Sequence, residues 1–199
     1  LFLVLYVLYL FGVFTSGKLV KGHPDLNDYE FFVAKHVKGV AYKDSWKDFA
    51  AIDKMLKDAK IPHEDSIGIY YNDPKDTPVA DLEFDGGYFI PTEDVAKAKA
   101  LGLTVFKYHN DEYTHVKMPL PSFLAFASVI PKAYGMLAEH FKASGKCDAC
   151  ATPKSPKTHK SPKPKKKGQP IPHTMPLGVE IYKKNSIYFM VDAEWDEMP

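Results

Sequence analysis

Residues 66–71 read S-I-G-I-Y-Y and are closed by Asn72-Asp73-Pro74, while residues 177–182 read L-G-V-E-I-Y. Both runs are short and rich in β-branched and aromatic residues, which suits half-buried strands, and the first ends in a turn signature. Each ends on a tyrosine, Tyr71 or Tyr182, and each follows a stretch with helical period. Ahead of the first, Ser45 to Lys60 sets Trp46, Phe49, Ile52, Met55 and Leu56 on one face, with Asp44 or Ser45 as a cap and Pro62 as a stop. Ahead of the second, Pro121 to Phe141 carries Phe123, Phe126, Ile130, Tyr134, Leu137 and Phe141 on one stripe. Pro131 inside that stripe is expected to kink or split the helix, since proline lacks a backbone donor and crowds the preceding turn.

Strand-like text surrounds both helices. Tyr29 to Tyr42 reads as one strand or two, and Asp81 to Ile90 as the hairpin partner of 66–71, with Gly86-Gly87 marking a bulge or kink. Leu103 to Tyr108 and Glu112 to Met118 flank a turn at His109-Asn110-Asp111, and Ser186 to Val191 pairs back on 177–182 around Lys183-Lys184-Asn185. The order strand, helix, hairpin therefore occurs twice. The expectation is an α+β domain built from a duplicated β-α-β-β unit, its two half-sheets joined in one antiparallel sheet. Both helices are expected on one face, leaving the other face to line a groove.

All 26 basic residues among the 199 are lysine, which weakens any reading built on bidentate phosphate or guanine recognition. Net charge is +1, but Ala151 to Met175 holds seven lysines and no acid; outside it, 19 bases face 25 acids, a balance of about −6. That segment, with six prolines, reads as a disordered loop within a Lys/Pro-rich insertion at 147–175. Its lysines, Lys154, Lys157, Lys160, Lys163, Lys165, Lys166 and Lys167, are suited to a polyanion or an anionic lipid, a nuclear-import patch, or plain solvation. Ser155-Pro156 and Ser161-Pro162 offer proline-directed phosphorylation that would cancel part of the charge.

Leu1 to Phe14 carries no charge, and Lys18 and Lys21 follow directly. At about 1.5 Å per residue the run is short of the roughly 30 Å hydrocarbon core. Two main readings compete: a cleaved signal peptide, giving a secreted protein, or a membrane anchor over 1–17 extended by residues ahead of Leu1. The lysines favour the anchor with a cytosolic domain, followed by a spacer over 18–28, the domain over 29–195 and a tail over 196–199.

Glu180 is the most informative single residue, because it interrupts an apolar strand between Val179 and Ile181. Either alternation turns it to water, or it points into an aromatic cleft as an anionic anchor for a cationic, amphiphilic or hydrogen-bonding ligand. In the second case Tyr182, Tyr70, Tyr71 and Phe89 are the expected lining. Cys147 and Cys150 have the spacing of a redox pair or half a zinc site, yet they follow a helix into a linker and also suit two plain loop thiols. No catalytic triad, phosphate loop or dinucleotide pattern stands out, and neither cofactor nor metal is expected.

S-I-G-I-Y-Y-N-D-P (66–74), G-V-E-I-Y (178–182) and the doubled unit order together resemble the GyrI-like small-molecule-binding family, the effector domains of bacterial drug-sensing regulators and their relatives. Ser16-Gly17-Lys18-Leu19, Pro131, V-F-K-Y (105–108) and S-I-Y-F-M (186–190) resemble a membrane-anchored endoplasmic-reticulum branch of that family. That branch implies a single-pass receptor for autophagy of the endoplasmic reticulum. Its partners would be ubiquitin-like autophagy modifiers, bound through an aromatic-x-x-aliphatic motif, and an AAA unfoldase. Trp195 and Met198 come close to that motif without matching it, and the 147–173 insertion is foreign to the family. The resemblance implies a binding module rather than an enzyme. A few relatives hydrolyse strained electrophiles with pocket carboxylates, a role that would fall to Glu180.

Overall fold

The computed structural model describes residues 2–22, 24, 29–109, 113–144, 178–191 and 195–198. The chain runs through α1 (Phe2–Leu10), β1 (Lys18–Gly22), β2 (Phe31–Lys38), α2 (Trp46–Asp58), β3 (Ser66–Tyr70) and β4 (Glu83–Ile90). It continues through α3 (Val95–Ala100), β5 (Thr104–Tyr108), β6 (Tyr113–Pro119), α4 (Phe126–Ala143), β7 (Gly178–Lys183), β8 (Ser186–Met190) and β9 (Trp195–Glu197). All nine strands join one antiparallel sheet in the order β1-β6-β8-β7-β3-β4-β2-β5-β9. The sheet meets itself at β3 and β7, the strands that contain the two runs quoted first; β2-β4-β3 on one side answers β6-β8-β7 on the other. The class is α+β, with four helices among the described residues.

Register and alternation decide what each face carries. One row across the sheet is Val33, Tyr88, Ser66, Tyr182, Ile187 and Met118; the next is Lys35, Gly86, Gly68, Glu180, Phe189 and Val116. This face takes α2 through Ile52 and Leu56, α3 through Ala98, and α4 through Val129, Ala133 and Leu137. The opposite face does not line an open groove, contrary to expectation. The sheet curls so that Phe32, Ile67, Ile69, Phe89, Phe106 and Tyr188 fill that side as a core of their own.

The membrane expectation is corrected here. Among the described residues no helix is long and apolar enough to cross a membrane. The apolar run forms only nine helical residues, about 13 Å at 1.5 Å per residue. Gly12, at φ +68°, turns the chain out of the helix, and Thr15 Oγ1 donates to the Gly12 carbonyl at 2.7 Å. The freed carbonyls then find partners around α4: Ser122 Oγ donates to Leu10 O, Ser128 Oγ to Phe11 O, and Lys132 Nζ to Gly12 O and Val13 O. The run is thus fastened to the domain, and residues 18–22 continue as an edge strand on β6 rather than a spacer. The described residues therefore hold no transmembrane anchor of the kind expected for a single-pass endoplasmic-reticulum protein, and nothing in the fold turns the balance to the secreted alternative.

Two smaller expectations change as well. The β2–β4 register runs unbroken from Phe31↔Ile90 to Lys38↔Glu83, so Gly86-Gly87 is not a bulge. Gly87 instead admits Val33 O, which a Cβ would meet at 1.7 Å. Pro131 does not split α4, which runs continuously from Phe126 to Ala143 with Val129, Ala133 and Leu137 packed on the sheet.

Candidate functional site

The seam strand β7 presents Gly178, Glu180 and Tyr182 to the helix-bearing face. Glu180 keeps 4% of its surface exposed. A carboxylate so buried is costly unless its oxygens are bonded, and here both are. Tyr182 Oη donates to Oε2 at 2.6 Å, and Tyr134 Oη, from α4, donates to Oε1 at 3.0 Å. Burial drives the Glu180 carboxyl up to about 7, against the pull of the Tyr182 and Tyr134 hydrogen bonds. Burial also pushes the hydroxyls of Tyr182, Tyr134 and Tyr70 far above the usual phenol range, with the Glu180 charge adding to it.

The network extends across the seam. Tyr70, at the end of β3, lies with its Oη 2.7 Å from that of Tyr182, and burial raises its pKa while side-chain hydrogen bonds with Tyr182 and Ser45 pull it partly back down. Ser45 precedes α2 but makes no side-chain cap; neither it nor Asp44 fills the capping role expected of them. Tyr42 packs edge-on to Tyr70 at 4.8 Å between ring centroids. Gly68 and Gly86 sit beside Glu180 in the same row, where a Cβ would strike Tyr70 or press on Phe49. Glycine there lets aromatic rings lie directly on the sheet.

Aromatic side chains wall the site on both sides. Phe49 of α2 and Phe126 of α4 approach Tyr182 at 6.0 and 5.8 Å between centroids. One helical turn outward, Trp46 and Phe123 are 55% and 75% exposed rather than buried with their stripes. The arrangement is a cluster of aromatic rings from two helices packed over a buried carboxylate. Among the described residues no ion pair reaches Glu180, and no group of three His, Cys, Asp or Glu side chains is arranged to hold a metal.

Of the five residues expected to line the site, Glu180, Tyr182 and Tyr70 come together. Tyr71 and Phe89 lie on the opposite face. Phe89 is buried in the helix-free core, and Tyr71 packs against that core and donates to Asp85 Oδ2, whose Oδ1 meets His36 Nδ1 at 2.8 Å. Strand alternation separates Tyr71 from Tyr70 by a full sheet thickness. Tyr134, Phe49 and Phe126 read in the sequence as helix-stripe residues and Ser45 as a cap, and none of the four as part of the site. The signal for Tyr134 was available: a tyrosine in an apolar stripe needs a buried partner for its hydroxyl. Cys147, Cys150 and the seven lysines of the insertion lie outside the described residues. No family model, curated protein or solved structure matches this chain.

Proposed function

We propose that this chain is a binding module that takes a lipophilic, aromatic cation between α2 and α4, above Glu180. The observation that carries this reading is a carboxylate buried at the centre of the sheet whose hydrogen-bond partners among the described residues are the phenols of Tyr182 and Tyr134, with Phe49 and Phe126 packed beside them. An anion held in a low-dielectric aromatic site attracts a desolvated cation by charge, while the ring faces add cation–π attraction. The resemblance to GyrI-like effector domains supports the same class of ligand. Calorimetric titration with tetraphenylphosphonium at pH 8 tests it. Micromolar binding that weakens at least tenfold in Glu180→Gln is expected; equal binding by both proteins, or none, would overturn the reading.

A second reading draws on the raised pKa of Glu180, about 7, which suits a general base near neutrality. In it, Glu180 activates water for attack on a strained electrophile, and hydrolysis of styrene oxide that is abolished by Glu180→Gln is the assay. Autophagy-modifier and AAA-unfoldase partners rest on the resemblance to testis-expressed protein 264 alone. Direct binding of a purified ubiquitin-like modifier to wild type and Trp195→Ala tests that part. An anionic-lipid contact through the insertion rests on its seven lysines and is tested with anionic liposomes.

A further inference from the structure

We propose that Ser45, Tyr70 and Tyr182 form a hydroxyl relay through which Glu180 releases its proton when a cation enters, so that ligand uptake and proton release are one event. The inference rests on the binding reading above and adds its regulation by protons. Donor counting sets the direction of the chain. A phenol has one proton, and Tyr182 gives its own to Glu180 Oε2. At the 2.7 Å contact between the two phenol oxygens, Tyr70 must therefore be the donor. By the same count Ser45, whose side chain bonds Tyr70, must be the donor to it; Ser45 ends the chain of hydroxyls, is buried with 8% of its surface exposed, and makes no helix cap.

When Glu180 is protonated, the same atoms bond in the reverse sense. Oε2–H donates to Tyr182, Tyr182 to Tyr70, and Tyr70 to the Ser45 oxygen. Passing between the two states breaks one O–H bond at each oxygen as the next forms, and a single proton leaves at Ser45. Nothing is oxidised or reduced. Because burial makes the phenolates unfavourable, the protons shift together rather than through an ionised tyrosine. Burial likewise holds Glu180 protonated well above the ordinary carboxylate range. The titratable groups that face it are Tyr182 from β7 and Tyr134 from α4, with Tyr70 from β3 and Tyr42 from the turn before α2 behind them. Tyr134 reaches the other carboxylate oxygen and holds the group in place.

Calorimetry with tetraphenylphosphonium in buffers of different ionisation enthalpy counts the protons. About one proton released per cation at pH 6, falling toward none at pH 9, is expected; no release at pH 6 would overturn the coupling. Stopped-flow binding then isolates the relay. Tyr70→Phe keeps the ring and removes the middle hydroxyl, and Ser45→Ala removes the outer one. Each should slow association about tenfold more at pH 6 than at pH 9, whereas a merely structural effect would slow both equally. Equal rates in wild type and both variants at pH 6 would exclude the relay. If tetraphenylphosphonium does not bind, the binding reading falls by itself, and the relay is judged on the ligand-free protein by pH-jump infrared spectroscopy. The Glu180 carboxyl band should then appear about tenfold more slowly in Tyr70→Phe than in wild type, and an equal rate would refute the relay.

Discussion

Glu180 makes folding stability depend on pH in a direction opposite to that of a salt-bridged carboxylate. Its folded value, about 7, lies above the ordinary 4.5, so between these values the folded protein binds more protons than the unfolded one. Stability from this group is therefore lost as pH rises from about 4.5 to about 7, by an amount on the order of 3 kcal/mol. Glu180→Gln removes that slope. His115 works the other way: burial lowers its value, so its contribution falls as pH drops below about 6.5. Urea unfolding at pH 5 and pH 8 should accordingly show Glu180→Gln gaining on wild type at the higher pH, with His115 cancelling in the comparison. Gly178 offers a second test at this scale. A Cβ there would lie 2.2 Å from Tyr134 Oη, so Gly178→Ala should push Tyr134 off Glu180. The expected cost is about 1–3 kcal/mol, read from the urea midpoint and reversed in part by adding Tyr134→Phe.

At the scale of elements, the N-terminal run shows how an apolar string can form a shorter helix than its hydrophobicity suggests. Hydrophobicity over Leu1 to Phe14 was legible, and so was the flanking charge. The polar groups that receive the run, Ser122, Ser128 and Lys132, are more than a hundred residues away and interrupt no local pattern. Gly12 is the pivot: a Cβ there would meet Ala125 Cβ at 2.9 Å in a backbone conformation that L-residues resist. Gly12→Ala should abolish amide hydrogen-exchange protection over residues 3–13 and leave the sheet amides unchanged. Gly87 is less forgiving, because its neighbour is backbone rather than side chain. Gly87→Ala should cost more than about 3 kcal/mol by thermal unfolding, since β2 and β4 cannot part at one residue without losing their register.

For the whole molecule, the join between β3 and β7 is what makes two related halves a single sheet. Ile67 and Ile69 of β3 and Val179 and Ile181 of β7 are fully buried across it. Ile181→Ala should cost about 2–5 kcal/mol through the cavity it leaves. Because Ile181 contributes to a core shared by strands of both halves, tryptophan fluorescence and far-ultraviolet circular dichroism should still report one coincident transition. Two separated transitions would mean that the halves fold independently and that the join only docks them.

The linear order of residues determined the periodicities, and with them α2, α4 and the hairpins, because alternation and helical stripes are properties of neighbours along the chain. It also marked Glu180 as out of place in its strand and Tyr70 and Tyr182 as its companions. The short α3 and the edge strands β1 and β9 escaped that reading, since three to six residues carry too little period to announce themselves. Only the tertiary structure decided which face Glu180 takes, that Tyr134 comes to it and Ser45 to Tyr70 from elements far apart in sequence, and that Tyr71 and Phe89 do not. The reason is that a strand fixes the relative side of its own residues, whereas the absolute side depends on which strand pairs beside it and which helix covers it. The same holds for the apolar N-terminus: its hydrophobicity belongs to the sequence, but the partners that end its helix at Gly12 are supplied by α4 and the turn before it.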